Sequence, residues 1–200
     1  MSWKRGAYPE FTLEDLIASI FMLREPVGRK TMAEALDLGE GSVRTLLKKL
    51  DGIGIIESAQ RGHFLNRKGI ELVKKLKELF SEAHFVGKVE NMPAYALVVK
   101  NAPEFKSIDL RDEAIRFFAR GAMILRVKGG EIVFPEDNRP LKETMEELAE
   151  RIEDVLDFSD GDTVIVTWAE NPADAIKSAY HVAIVLKGEE IPEEVKSLVR

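Results

Sequence analysis

The first 80 residues constrain the fold most, because three helical patterns, a hairpin pattern and a fourth helical pattern follow one another with sharp breaks between them. Thr12 and Asp15 have the spacing of a capping box, and apolar residues then recur at helical spacing as far as Leu23. Pro26 and Gly28 end this pattern, since neither residue continues a helix well. The chain is therefore predicted to begin its first domain with an amphipathic helix.

Two further helices are predicted after this break. Thr31 and Glu34 have capping-box spacing before a short helix, and a polar turn with glycine spans residues 37–41. Ser42 is predicted to cap a third, longer helix that is basic on its polar faces. Its apolar face consists of Val43, Leu46, Leu47 and Leu50. A short helix, a turn with glycine and a longer basic helix form a helix-turn-helix pattern.

A hairpin is predicted directly after the third helix. Residues 55–59 have the composition of a strand, residues 60–62 that of a turn, and residues 63–65 that of a returning strand. Asn66 is expected to cap a last helix, whose apolar stripe includes Ile70 and whose other faces are rich in lysine.

This order of elements resembles that of the winged helix-turn-helix transcriptional regulators. The segments that carry the resemblance are Ser42-Val43-Arg44 at the start of the third helix, residues 50–56 before the hairpin, and residues 65–69 after it. Asn66 stands where many members have threonine, and either side chain can cap a helix. The resemblance covers residues 12–80 and implies that the hairpin is the wing of a DNA-binding domain.

The resemblance also implies how duplex DNA would be held. The third helix would enter the major groove with its N-terminal residues toward the base edges. Three residues are candidates for reading bases: Ser42, Arg44 and Thr45. Arg44 is the foremost of them, because arginine can donate two hydrogen bonds to guanine. The candidates for phosphate contacts are Arg29, Lys30, Lys48 and Lys49, and Arg61 at the wing tip is placed to reach the adjacent minor groove or its backbone. The alternative is that these cations only form the hydrated surface of a small helical domain and bind no DNA.

Charge is divided unevenly along the chain. The net charge is −6, but residues 1–80 hold 14 Lys and Arg against 11 Asp and Glu, whereas residues 81–200 hold 15 against 24. The modest basic excess therefore lies in the half that resembles a DNA-binding domain. Charged residues make up 32% of the chain and Gln60 is its one glutamine, a balance typical of thermophilic proteins.

The chain contains no cysteine, which excludes a disulfide scaffold, a thiolate metal site and a cysteine nucleophile. The residues after Met1 do not resemble a signal peptide, and no apolar run approaches the ~20 residues that span a bilayer. A soluble, cytoplasmic protein with no membrane contact is therefore expected.

Motifs of catalysis and cofactor binding were not found either. His63, His84 and His181 lack the spacing of metal ligands, and the pair of glycines at residues 52–54 lacks the third glycine of a dinucleotide fingerprint. The acidic cluster in residues 146–154 has the pattern of a helix surface. No catalytic residue, metal or cofactor is predicted.

A second domain is predicted beyond a boundary in residues 81–93, which divides the chain into residues 1–84 and 85–200. The order β-α-β-β-α-β, extended by one α-β unit, indicates an α+β fold in which helices cover a split βαβ sheet. The predicted strands are residues 95–99, 122–127, 132–134, 163–168 and 182–186, and the predicted helices are residues 110–120, residues 141–156 and one that begins at Asn171-Pro172. The buried stripe of the second helix is predicted to be Leu141, Met145, Leu148, Ile152 and Val155. Residues 97–99, 164–166 and 182–186 are continuously apolar and are predicted to be central strands.

A ligand site is predicted where the strand at residues 163–168 meets the following helix, because free amides at a helix N-terminus can bind an anion. The candidate residues are Thr167, Trp168, Glu170 and Asn171. Arg120, in the turn before another strand, is a second candidate that could meet a carboxylate. Helix capping by Asn171 and a plain helix end at Arg120 are the competing explanations.

The pairing of domains resembles a group of archaeal winged-helix regulators whose C-terminal domain has no assigned ligand. The sequence therefore predicts a homodimeric transcriptional regulator that binds double-stranded DNA through its winged helix and senses a small-molecule effector, dimerises, or both, through its C-terminal domain. One alternative is a protein-interaction or scaffolding module that uses a winged helix without DNA. Another is an enzyme that acts on a small metabolite in the C-terminal domain.

Overall fold

The computed structural model of the protein describes residues 11–200. The described residues form two compact units, residues 11–73 with Pro192–Arg200, and Lys74–Ile191. In this grouping the first boundary follows Val73, and the C-terminal residues from Pro192 onward join the first unit. Within residues 11–200, no helix is both long and apolar enough to cross a membrane.

The first unit has the predicted order of three helices, a hairpin and a further helix. These elements are α1 (Leu13–Met22), α2 (Arg29–Leu36), α3 (Glu40–Gly52), β1 (Ile56–Ala59), β2 (Gly62–Leu65) and α4 (Arg67–Leu79), the last of which continues into the second unit. The capping box of α1 is confirmed, since the Thr12 backbone N–H donates to Asp15 Oδ2 at 2.9 Å and Asp15 N–H donates to Thr12 Oγ1 at 3.3 Å. The cap of α4 is confirmed as well, since Gly69 N–H donates to Asn66 Oδ1 at 3.0 Å.

Two predicted helix starts were wrong. α2 begins at Arg29 after Gly28, and α3 begins at Glu40 after Gly39, so that Thr31 and Ser42 lie inside the helices that they were expected to cap. Both glycines have extended backbone angles that allow a helix to begin after them. Glu40 then stands at the first position of α3, where a carboxylate is stabilised by the helix dipole.

The core of the first unit is formed by the apolar faces of its helices. Fully buried members include Leu16, Ile20, Met32, Leu36, Val43, Leu46, Leu50 and Ile55. The prediction that Ile70 belongs to the buried stripe of α4 was wrong, since this side chain is 48% exposed. Val195, in the C-terminal helix α9 (Glu193–Lys196), is also fully buried. The C-terminal residues therefore contribute to a core that the sequence assigned to residues 12–80 alone.

The wing hairpin is held to the segment before α2 by a backbone bridge. Val27 and His63 exchange two backbone hydrogen bonds, each of 2.9 Å. Gly62 lies beside this bridge with φ of +121°, and a Cβ atom there would stand 2.7 Å from the carbonyl carbon and oxygen of Val27. Only glycine fits this position without a shift of the backbone.

Replacing Gly62 with alanine is therefore expected to lower the free energy of unfolding by about 1–3 kcal/mol, because the left-handed backbone and the close approach are both strained by a Cβ atom. The matched control is Gly52→Ala, since a Cβ atom at Gly52 has no neighbour within 4 Å. Denaturant unfolding followed by circular dichroism measures both variants. Equal stability of the two would contradict the close packing of the wing on Val27.

The second unit is built on one five-stranded sheet. Its strands are β3 (His84–Val89), β4 (Met92–Val99), β5 (Gly121–Lys128), β6 (Glu131–Val133) and β7 (Thr163–Trp168), in the order β3-β4-β7-β5-β6 with antiparallel neighbours throughout. β4 and β5 are therefore parallel to each other with β7 between them, and α5 (Ser107–Arg116) connects them. This is the split βαβ arrangement, so the predicted α+β fold is confirmed.

The central strands of this sheet are buried on both faces. Every residue of β7 is buried, as are the last four residues of β4, which confirms two of the three predicted central strands. The third prediction was wrong, because residues 182–186 belong to α8 (Pro172–Lys187). A short apolar run in a buried helix has the same composition as a buried strand, and its periodicity alone cannot separate them.

Two further differences concern element boundaries. The first strand of the sheet, β3, was missed, since its register with β4 shifts between Phe85 and Lys88 and this bulge interrupts the alternation of the strand. The predicted helix 141–156 is two helices, α6 (Leu141–Thr144) and α7 (Glu146–Val155), separated by Met145 at φ of −140°. Val155 is 42% exposed, so its assignment to the buried stripe was wrong.

Candidate nucleic-acid interface

A surface groove of about 340 Å³ runs between α3, the first residue of α2 and the wing. Its lining combines cations with an apolar floor and polar side chains of the wing. These residues are Arg29, Arg44, Leu47, Lys48, Asp51, Ile56, Ser58 and His63. Leu47 and Ile56 are buried and fix the floor of the groove to the core of the unit.

Three of the predicted DNA-contact residues meet in this groove. Arg44 and Lys48 are one helical turn apart on the same face of α3, and Arg29 joins them from the start of α2. All three side chains are exposed, and none forms an ion pair with any of residues 11–200. Asp51 is the one carboxylate in the lining, so the groove carries an excess of positive charge.

The other predicted contact residues lie outside this lining. Lys30 is exposed on α2, and Ser42 is half-buried in the first turn of α3. Thr45 Oγ1 donates a hydrogen bond to the carbonyl of Gly41 at 3.2 Å, so its hydroxyl proton is already engaged by its own helix. The guanidinium of Arg61 lies 5.4 Å from the ring centre of Phe64, which places this cation on the wing itself.

Lys49 faces away from the groove. Its ammonium donates to the carbonyl oxygen of Leu198 at 2.7 Å and lies 5.4 Å from the ring centre of Phe11. A phosphate would have to compete with the C-terminal segment for this cation. Lys49 is thus the predicted phosphate contact that the structure supports least.

Two polar groups of the groove were not predicted from the sequence. Ser58 and His63 are opposite each other in the β1–β2 register, and Ser58 Oγ lies 2.7 Å from His63 Nδ1. This contact orients the imidazole and leaves its Nε2 atom for another partner. The predicted turn at residues 60–62 would pair Ser58 with Phe64, and only the shorter turn at residues 60–61 places Ser58 opposite His63.

Three of the five predicted ligand residues of the second unit have internal side-chain partners. Thr167 Oγ1 donates to the Ala175 carbonyl at 2.6 Å, Trp168 Nε1 donates to Glu90 at 3.0 Å, and Asn171 Oδ1 accepts the Ala173 N–H at 3.0 Å. Arg120 and Glu170 are exposed, and the backbone N–H of Arg120 donates to the Trp168 carbonyl at 2.8 Å. The Asn171 contact is the helix cap of the competing explanation, whereas α5 ends at Arg116, so Arg120 is not a helix end.

The chain has been compared with known families and structures. Residues 12–71 match the family described as PH0730-like, N-terminal domain, and residues 90–186 match DUF4443, a domain of unknown function. A solved structure, the hypothetical protein PH0730 from Pyrococcus horikoshii OT3, is 57% identical with a TM-score of 0.88, over 94% of this chain and 100% of that one. The chain belongs to the PH0730-like family. No curated protein matches it.

The groove and most of the larger sheet lie in different matched domains. All of the groove residues lie within the match to the PH0730-like N-terminal domain, from Arg29 to His63. The strands β4 to β7 and the helices between them lie within the match to DUF4443. The PH0730-like chain thus carries its candidate interface in the first matched domain and its larger sheet in the second.

Proposed function

We propose that this protein is a DNA-binding transcriptional regulator whose first unit reads duplex DNA with α3. The observation that carries the proposal is the groove in which Arg29, Arg44 and Lys48 meet without an ion-pair partner among the described residues. Cations that are left unpaired together on one face are well suited to the polyanionic DNA backbone.

Within the groove we assign different roles to the three cations. Arg44 is closest to the start of α3, the part of a recognition helix that contacts base edges, and its guanidinium can donate two hydrogen bonds to a guanine. Lys48, one turn further along, and Arg29, at the start of α2, contact phosphates that position the helix. Ser58 and His63 extend the polar surface from α3 onto the wing.

The proposal includes a second role, the binding of a small-molecule effector by the second unit, and it includes no catalytic step. It also includes a homodimer, because a single winged helix buries little surface on DNA and specific sites are commonly paired half-sites. Effector binding would favour one arrangement of the paired DNA-reading units over another.

Fluorescence anisotropy of the purified chain with labelled duplex fragments from upstream of its own coding sequence tests this proposal. We expect binding that prefers some fragments, weakens with rising salt because counterions are released, and has a stoichiometry of two chains per preferred site. Equal weak binding to every fragment, or none, would contradict DNA reading and would favour the protein-interaction role. A stoichiometry of one chain would contradict the dimer alone.

A further inference from the structure

A second cavity, of about 300 Å³, lies in the second unit where β5 ends and β7 begins. Its volume is at the lower end of the ~300–1,000 Å³ typical of small-molecule sites, which suits a metabolite of modest size. The lining combines two cations with an aromatic and apolar wall. The residues that matter are Phe105, Arg126, Lys128, Pro135, Asn138 and Asp162.

Arg126 is the group in this cavity whose hydrogen bonding is incomplete. Its guanidinium carbon lies 4.8 Å from the ring centre of Phe105, and its Nη2 atom lies 3.3 Å from Glu104 Oε2. Its Nε atom is buried and has no acceptor among the described residues. A buried donor without an acceptor is unfavourable, and the Nε–Nη2 edge of a guanidinium has the geometry to bind both oxygens of one carboxylate.

Glu104 satisfies only one atom of this edge. Its side chain is 93% exposed, and an ion pair at such a site contributes little free energy because water screens it. A ligand carboxylate that bonded both Nε and Nη2 would therefore replace Glu104 at small cost.

The acidic residue of the cavity is neutralised by its own contacts. Asp162 is buried, accepts from Lys100 Nζ at 3.0 Å, and accepts from the backbone N–H of Ser159 at 2.9 Å. The lining residues Arg126 and Lys128 therefore leave an excess of positive charge, which Glu104 partly offsets from outside the lining and which favours an anion.

We infer that this cavity binds a small organic carboxylate, with its carboxyl group along the Nε–Nη2 edge of Arg126 and its apolar body against Phe105 and Pro135. The inference rests on the effector-binding role proposed above and gives that role a site and a ligand class. The site is separate from the segment at residues 167–171. Its test contains no DNA, so its failure would leave the DNA-binding proposal standing.

Benzoate is a suitable probe, because it joins a carboxylate to a flat apolar body. In a titration of the ¹⁵N-labelled full chain followed by NMR, benzoate is expected to cause saturable shifts of amides around the cavity, such as those of Lys128 and Gly161. Benzamide, the neutral analogue, is expected to cause none. Arg126→Gln should weaken benzoate binding by about tenfold or more, since a hydrogen-bonded charge pair is lost.

Glu104→Gln is expected to change the affinity for benzoate in the opposite direction to Arg126→Gln. Removing the competing carboxylate is expected to tighten benzoate binding by about 1.5- to 5-fold, the equivalent of a surface ion pair. Because Glu104 is exposed, this variant does not depend on how Arg126→Gln folds. Glu150→Gln, an exposed glutamate on α7, is the matched control and should leave the affinity unchanged.

Several results would overturn the inference. They are the absence of saturable shifts at the cavity with benzoate, equal shifts with benzamide, and unchanged affinity in both Arg126→Gln and Glu104→Gln. Inorganic phosphate that shifts these amides where benzoate does not would overturn the assignment of a carboxylate.

Discussion

Replacing Arg44 with alanine is expected to lower the affinity for a preferred DNA fragment by about 1–3 kcal/mol, roughly fivefold to 150-fold, and to remove much of the preference between fragments. The physical reason is the loss of two hydrogen bonds to a base edge, which only the preferred sequence offers. Arg44 is exposed and has no ion-pair partner among the described residues, so folding should be little affected. Anisotropy with preferred and unrelated fragments measures both effects.

Lys48→Ala is the informative comparison for this prediction. A phosphate contact carries no sequence information, so its loss should weaken all fragments about equally and reduce the slope of log affinity against log salt by about 0.9. Arg67→Ala, an exposed arginine of the first unit outside the groove, should change neither quantity. If Arg44→Ala and Lys48→Ala had the same effect on every fragment, Arg44 would not be the base-reading residue.

The local elements of the first unit were predictable because their signals are local. The capping box at Thr12 and the cap at Asn66 involve residues three apart in sequence, and both were found. The starts of α2 and α3 were placed too late, because glycine caps a helix with its backbone and leaves no side-chain signal. The contribution of Val195 to the same core could not be predicted, since nothing local links it to residues 12–80.

The sequence identified individual cations of the candidate groove, but it could not predict which of them line the groove together. The sequence pointed to Arg44 and Lys48 as cations on the third helix and to Arg29 as a cation before the second one, and the structure brings these three together. It could not predict that Lys49, the neighbour of Lys48, is held by the carbonyl of Leu198, which is 149 positions away. Adjacent residues on a helix point 100° apart, and the fold decides which of them reaches the groove.

In the second unit, too, the sequence could not predict which residues the fold brings together at a candidate ligand site. The motif at residues 167–171 attracted a binding interpretation because a strand meets a helix there, and the structure gives three of its side chains, Thr167, Trp168 and Asn171, internal partners. The cavity at Arg126 escaped notice because it joins the loop at residues 102–105 to the ends of two strands. Such a site exists only after the sheet has formed.

The Trp168 side chain can be explained either by packing within the second unit or by ligand binding, and its contacts favour packing. Its side chain is 8% exposed, and a Cβ atom at Gly121 on the neighbouring strand would stand 2.3 Å from its ring, so the indole packs directly on the backbone of β5. Trp168→Ala is therefore expected to lower the free energy of unfolding by about 3–5 kcal/mol, through lost burial and the cavity that remains. Denaturant unfolding followed by circular dichroism measures this loss without relying on tryptophan fluorescence.

Trp168→Phe and Glu90→Gln show how much of the lost free energy of unfolding comes from apolar packing and how much from the hydrogen bond to Glu90. Phenylalanine keeps most of the apolar contact with Gly121 and removes the hydrogen bond from Nε1 to Glu90, so it should cost much less than alanine. Glu90→Gln keeps an acceptor for the indole N–H and should cost least. If Trp168→Ala unfolded at the same denaturant concentration as the unaltered chain, the indole would not be a packing element. A ligand-binding role for the indole at the start of α8 would then be the better explanation.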